Sequence, residues 1–193
     1  MNADYALARL AWARPLERRE TAVGYASRAA CLNGRRLGVF LREMAIAPRE
    51  LDKGVPSAID AIATLGDIDA GQLTRFTPAP ALDERYQTVA GEVLLRHSVN
   101  RTFFRYCPAC VSHDLERFDG RPATRPWLRL EWTVAHFRSC PEHGLPLRQA
   151  NPVRRGFEPF DFSETMAPIV RDGAALPEAA PALPASPFQD WLL

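Results

Sequence analysis

The chain has 193 residues, 47% of them hydrophobic and 24% charged, with a formal net charge of +1. That is the composition of an ordinary folded protein, long enough for one sizeable core or two small ones. No run approaches the length of a membrane span, and the first fifteen residues lack the apolar core of a signal peptide, so a cytoplasmic protein with reduced thiols is expected.

In chain order, residues 1–20 read as extended or irregular, ending in the charged stretch Glu17–Glu20. Thr21 is placed to cap a helix from Ala22 to Leu32, with Val23, Ala26, Ala29 and Ala30 on one face. Asn33-Gly34 is a stop and turn signal. A second helix is expected from Arg35 to Met44, because Leu37, Phe40, Leu41 and Met44 repeat at i, i+3, i+4, i+7. Two short helices joined by a glycine-containing turn make an αα-hairpin or a helix-turn-helix. Arg35, Arg36 and Arg42 are the outward candidates for nucleic-acid or partner contact on that second helix. Ser57 is read as the cap of a third helix carrying Ile59, Ile62 and Ala63 and ended by Gly66. Asp69 is read as the cap of a fourth, running to Phe76. Asp83 is read as opening a fifth, with Tyr86, Val89 and Val93 inward.

The strongest signal follows. Cys107-Pro-Ala-Cys110 and Cys140-Pro-Glu-His143 each offer two ligands two residues apart, separated by a 29-residue spacer, Val111–Ser139. Each spacing lets one tight turn aim both side chains at one ion. The two turns together supply three sulfurs and one nitrogen, the closed tetrahedral set of a structural zinc. His113 and His136, each within four residues of a knuckle cysteine, are reserve ligands. Cys31 is the spare cysteine, read as a small buried residue. Within the spacer a short helix is expected after Cys110 through Leu115, and then a loop at Asp119–Pro122. The alternation from Leu128 to Val134 reads as a strand, although a helix with Leu128, Trp132 and Ala135 inward also fits. Trp127 and Trp132 are expected to cap the zinc core.

Beyond Asn151 the chain turns acidic and proline-rich. Residues 173–187 read as a linker, and Pro187–Leu193 as the start of an amphipathic helix. A terminus in mid-helix points to a longer parent protein. Charge is uneven along the chain: nine basic residues face five acidic ones over 1–50, three face seven over 51–95, nine face five over 96–150, and three face six over 151–193. All the basic residues but Lys53 are arginine, the side chain better suited to phosphate and carboxylate recognition.

The order of these pieces resembles the TniQ family of bacterial transposons from about Leu10 to Arg148. The resemblance is carried by RPLERRETAVGYASRAACLNG, FLREMAI, IDAIATLGDIDAGQLTRFTP, RYCPAC, WLRLEW and SCPEHGLPL. It implies a non-catalytic adaptor in a bacterial cytoplasm. Such an adaptor joins a target-recognition element, either DNA or an RNA-guided complex, to an AAA+ ATPase. The resemblance also implies that Cys107, Cys110, Cys140 and His143 hold zinc, and it admits a homodimer. Many members carry a further cysteine pair after the CPxHG segment; here Leu145–Asn151 leads to none.

The expectation is a mainly α protein in three parts. Residues 1–95 form a helix-turn-helix bundle, 96–150 a small zinc-finger module, and 151–193 a linker and the start of a further helix. The rival readings are a zinc-containing helix-turn-helix transcription regulator and a zinc enzyme, for which Glu131 and Glu142 are the nearby carboxylates. No nucleophile triad, phosphate-binding glycine loop or paired-carboxylate motif stands out.

Overall fold

Short polar caps and breakers divide the N-terminal half into helices too short to stand alone, so each must bury an apolar face against the others. The structure, a computed structural model, describes residues 9–150, 160–171 and 181–193. Helix α1 (Ala22–Leu32) is capped by Thr21, whose hydroxyl accepts from the Gly24 amide. Helices α2 (Leu37–Glu43), α3 (Pro48–Asp52), α4 (Pro56–Gly66) and α5 (Ala70–Arg75) follow. Asp69 caps α5 as expected, but α4 begins at Pro56 with Val55 in the cap position and no side-chain bond, so Ser57 is not its cap. α3 was not foreseen; its one buried residue is Leu51. Around α1 the core is Tyr25, Ala26, Ala29 and Ala30 against Leu37, Phe40, Leu41, Ile59, Ile62 and Leu65.

The fifth helix expected from Asp83 is instead a β-hairpin. Strand β1 (Ala79–Pro80) pairs with β2 (Tyr86–Val89), and β2 pairs antiparallel with β3 (Glu92–Leu95), Tyr86 opposite Leu95 and Val89 opposite Glu92. The turn is Ala90-Gly91, with φ of 55° and 94°. Two successive positive φ values suit the twist of a tight hairpin and not a helix. Burial then alternates with period 2, so Gln87, Val89 and Leu94 face inward and Val93 lies outside.

Strand β4 (Phe104–Tyr106), helix α6 (Pro108–Arg117), the single turn α7 (Leu130–Thr133) and strand β5 (Arg148–Ala150) build the second half. The strand read from Leu128 to Val134 is therefore mostly a helical turn, with Leu128, Trp132 and Val134 buried and Ala135 exposed. Residues 127–130 run alongside the segment before α1: the Thr21 amide donates to Leu128 O, the Leu130 amide donates to Arg19 O, and Glu20 bridges Arg129. Gly24 marks this contact, since a Cβ there would lie 2.6 Å from Leu128 Cβ.

Within the tract read as acidic and proline-rich, Phe162–Arg171 forms helix α8, which packs on α1. Asp161 fixes it: its carboxylate accepts from Ser27 Oγ at 2.7 Å and from the Glu164 amide at 3.1 Å. The same carboxylate accepts from the Leu37 amide, at the start of α2, at 2.8 Å. Most of the 173–187 linker lies outside the described residues. Helix α9 (Pro187–Leu192) carries a capping box between Ser186 and Gln189 and lays Phe188 and Leu192 on the hairpin core of Val89, Leu94, Val134 and Phe137. Among the described residues no helix is long and apolar enough to cross a membrane.

Candidate metal centre

The two knuckles meet because β4 and β5 pair antiparallel, Phe104 opposite Ala150 and Tyr106 opposite Arg148. Cys107 leaves the end of β4 and is the N-cap of α6, with Pro108 supplying the fixed φ of the first helical position. Its carbonyl accepts from the Val111 amide at 3.0 Å, so Cys110 comes round one turn onto the same side. The expected helix after Cys110 thus begins earlier, at Pro108. On the other knuckle, Cys140 donates its amide to Leu145 O and accepts from the Gly144 amide, both at 2.8 Å. Gly144 takes φ of 66°, and a Cβ there would press on Ala182 at 3.2 Å. The turn therefore needs a glycine on both grounds.

Cys107, Cys110, Cys140 and His143 place one ligand atom each within 4.8 Å of one another. Cys110 Sγ lies 3.5 Å from Cys140 Sγ, too far for a disulfide. His143 Nδ1 lies 3.3, 3.5 and 3.8 Å from the sulfurs of Cys110, Cys140 and Cys107. A tetrahedral zinc at about 2.3 Å from sulfur and about 2.0 Å from nitrogen demands S···S edges of about 3.8 Å and S···N edges of about 3.5 Å. The Cys110–Cys140 edge and the three sulfur–nitrogen edges are close to those values, and the cluster can hold a metal ion. The three sulfurs are buried and His143 is exposed. The Cys107 thiol is pushed far below its usual range by hydrogen bonds from the Cys110 and Cys140 thiols, helped by the Cys110 and Ala109 amides. The Cys110 thiol is pushed up by its hydrogen bonds with the Cys107 and Cys140 sulfurs and by burial.

Charged residues surround the cluster. Arg129, 3% exposed, donates two bonds of 2.9 Å to Asp114, which is fully buried on α6. The guanidinium lies 3.6 Å from the Trp127 ring centre and 4.7 Å from that of Trp132. Burial opposes the charge on Arg129, but the bonds it donates to Asp114 and the charge of that carboxylate outweigh it and raise its pKa; burial pushes the Asp114 carboxyl up to about 6 against the pull of Arg129. Arg19 holds the buried Glu131 with bonds of 2.8 and 3.2 Å and reaches Glu142 at 3.5 Å. Arg28 grips Glu20 at 2.6 and 2.8 Å in the core of the helical half. Glu131, the carboxylate a zinc enzyme would have used as a base, is thus committed to Arg19. Trp132 does cap the cysteine core, while Trp127 covers Arg129 and meets Phe118 edge-on.

His113 and His136 stand outside the cluster. His113 is exposed on α6, and His136 approaches Ser98 Oγ and the Phe188 ring. Cys31 is half-buried, its thiol pushed up by burial. Arg35 and Arg36 precede α2 rather than lie on it, because that helix starts at Leu37. Arg35 faces Glu43 at 3.4 Å, Arg36 faces Glu164 at 3.7 Å, and Arg42 is exposed. With seven residues, its N-terminal amide covered by Asp161 and Leu37, Gly38, Phe40 and Leu41 buried, α2 does not establish a helix-turn-helix. The buried pairs Arg129–Asp114 and Arg19–Glu131 escaped the sequence reading; the only local hint was the density of arginine beside apolar residues.

The family profile described as TniQ matches residues 12–147, a stretch that contains Cys107, Cys110, Cys140, His143 and helices α1–α7. No curated protein and no solved structure is significantly similar to the chain.

Proposed function

The chain belongs to the TniQ family, and on that premise we propose that it acts as a non-catalytic adaptor in DNA transposition, joining a target-recognition element to an AAA+ ATPase. The observation that carries this is the family match across residues 12–147, which takes in the Cys₃His cluster and the helical half packed on it. The proposed ion is a structural Zn²⁺ held by Cys107, Cys110, Cys140 and His143. Three thiolates and an imidazole close the coordination sphere, leave no position for a reacting water, and cross-link β4, α6 and the 140–144 turn. In this reading residues 1–95 are a first unit that carries helices α1–α5 and the β1–β3 sheet, 96–150 the zinc module, and 151–193 a further segment. The partners are the ATPase, DNA or an RNA-guided complex, and a second copy of the chain. The compartment is the bacterial cytoplasm.

The test is a pull-down of the zinc-loaded protein against an AAA+ transposition ATPase from the same genome, with and without duplex DNA. Retention that is lost on chelating the metal supports the adaptor. Absence of ATPase capture, with tight binding to one duplex sequence instead, replaces it with a transcription regulator.

A further inference from the structure

Two neighbouring hollows, of 470 and 950 Å³, lie along α3, the β1–β3 sheet and the 96–105 segment and share Glu84, Arg96 and Arg101 in their walls. Their walls gather the basic side chains of Arg49, Lys53, Arg85, Arg96, Arg101 and Arg105. Arg101 is the fixed floor. It pairs with Asp52 at 2.7 Å, reaches Gln87 at 3.3 Å, and also donates to the Asp52 and Pro78 carbonyls. Arg85 is paired with Asp83, and Arg105 spends its guanidinium on the carbonyls of residues 132–137. That leaves Arg49, Lys53 and Arg96. All three are exposed, and none is ion-paired among the described residues, whereas Glu84 is the lone unpaired acid in the lining. Half-buried Tyr86 lines the first hollow, with the Arg85 guanidinium 5.8 Å from its ring centre, and half-buried Phe103 lines the second.

Unpaired cations along a groove, interleaved with aromatic rings, are the means by which proteins hold a single nucleic-acid strand. The cations track phosphates, and the rings stack on bases without reading sequence. We propose that this groove binds the sugar-phosphate backbone of single-stranded nucleic acid, RNA or displaced DNA, through Arg49, Lys53 and Arg96. The proposal rests on the adaptor reading and moves its nucleic-acid contact away from Arg35, Arg36 and Arg42. An acidic peptide would also meet the cations, but it would leave Tyr86 and Phe103 without bases to stack on.

The experiment is fluorescence anisotropy of the zinc-loaded chain with labelled 15-nucleotide oligo(U), oligo(dT) and a duplex of equal length, over a salt series. The double variant Lys53→Glu/Arg96→Glu changes two exposed side chains, and an unchanged melting temperature establishes that it folds. The expected result is that at least one single strand binds more tightly than the duplex, with oligo(U) against oligo(dT) telling RNA from DNA. The variant is expected to weaken binding tenfold or more and to shallow the salt slope by about 1.4, the loss of two phosphate contacts at about 0.7 each. The proposal is overturned if neither strand binds at low salt, if the variant binds as the wild type does, if Arg35→Glu/Arg42→Glu is the pair that abolishes binding, or if polyglutamate competes as well as RNA. ATPase capture is measured on the same variant. Capture that persists while strand binding is lost separates the groove from the adaptor contact. Wild-type strand binding without any ATPase capture sinks the adaptor reading and leaves the groove standing.

Discussion

Replacing Arg129 with methionine tests the buried frame around the cluster. The side chain is 3% exposed, makes two 2.9 Å bonds to a fully buried carboxylate, and lies between two indole rings. Removing one partner of a buried pair costs about 3–5 kcal/mol, because the other charge is left uncompensated. The lost cation–π contacts add to that, by about 2 kcal/mol when desolvated. Two effects pull the other way: methionine refills most of the volume, and Asp114, already pushed up to about 6, escapes by taking a proton. The net expectation is about 3 kcal/mol, a large part of a stability of about 5–15 kcal/mol. Urea unfolding of the zinc-loaded protein at pH 7.5 measures it. The double variant Arg129→Met/Asp114→Leu should recover to within about 1 kcal/mol of wild type, since an apolar pair of similar volume spares both desolvation costs. A loss under about 1 kcal/mol in the single variant, or a double variant no better than the single, refutes the reasoning.

Gly24→Ala should cost about 1–3 kcal/mol by overpacking, because its new methyl meets Leu128 Cβ at 2.6 Å where two backbones are pinned together; thermal melts followed by circular dichroism show it. Alkylation followed by mass spectrometry should find only Cys31 modified in the metal-loaded protein, and that slowly because burial pushes its thiol up; chelation should open the other three cysteines. Asp114 gives a pH signature. Its folded-state value, raised from 3.8 to about 6, means that the folded state binds the proton more tightly than the unfolded one. The resulting stability is full below about 3.8 and is lost as pH rises through about 6. Relative to Asp114→Asn, wild type should therefore lose stability between pH 5 and pH 7 in urea titrations.

The features legible in the sequence were those whose cause is local. Thr21 and Asp69 each cap a helix through the amide three residues on, and each knuckle brings its two metal-competent side chains to one side by its own turn. The misreadings have tertiary causes. Tyr86, Val89 and Val93 share helical spacing, yet Ala90-Gly91 takes positive φ at both positions and turns the chain back on itself. The 128–134 alternation was broken because residues 127–130 lie against the segment before α1, and the single turn of α7 follows that contact. α8 hid in a tract of acidic and proline-rich composition because what fixes it is Asp161, reaching Ser27 and Leu37 far back in the chain. Buried ion pairs such as Arg19–Glu131, separated by 112 residues, leave no periodic trace.

X-ray absorption at the zinc edge, on protein purified without added metal and quantified for bound zinc, tests the metal centre most directly. One zinc per chain with three sulfur neighbours at about 2.3 Å and one nitrogen at about 2.0 Å is the predicted shell, and Cys140→Ser should lose it. A metal-free protein that melts as the loaded one does, or a shell dominated by oxygen and nitrogen, would contradict the Cys107, Cys110, Cys140 and His143 assignment.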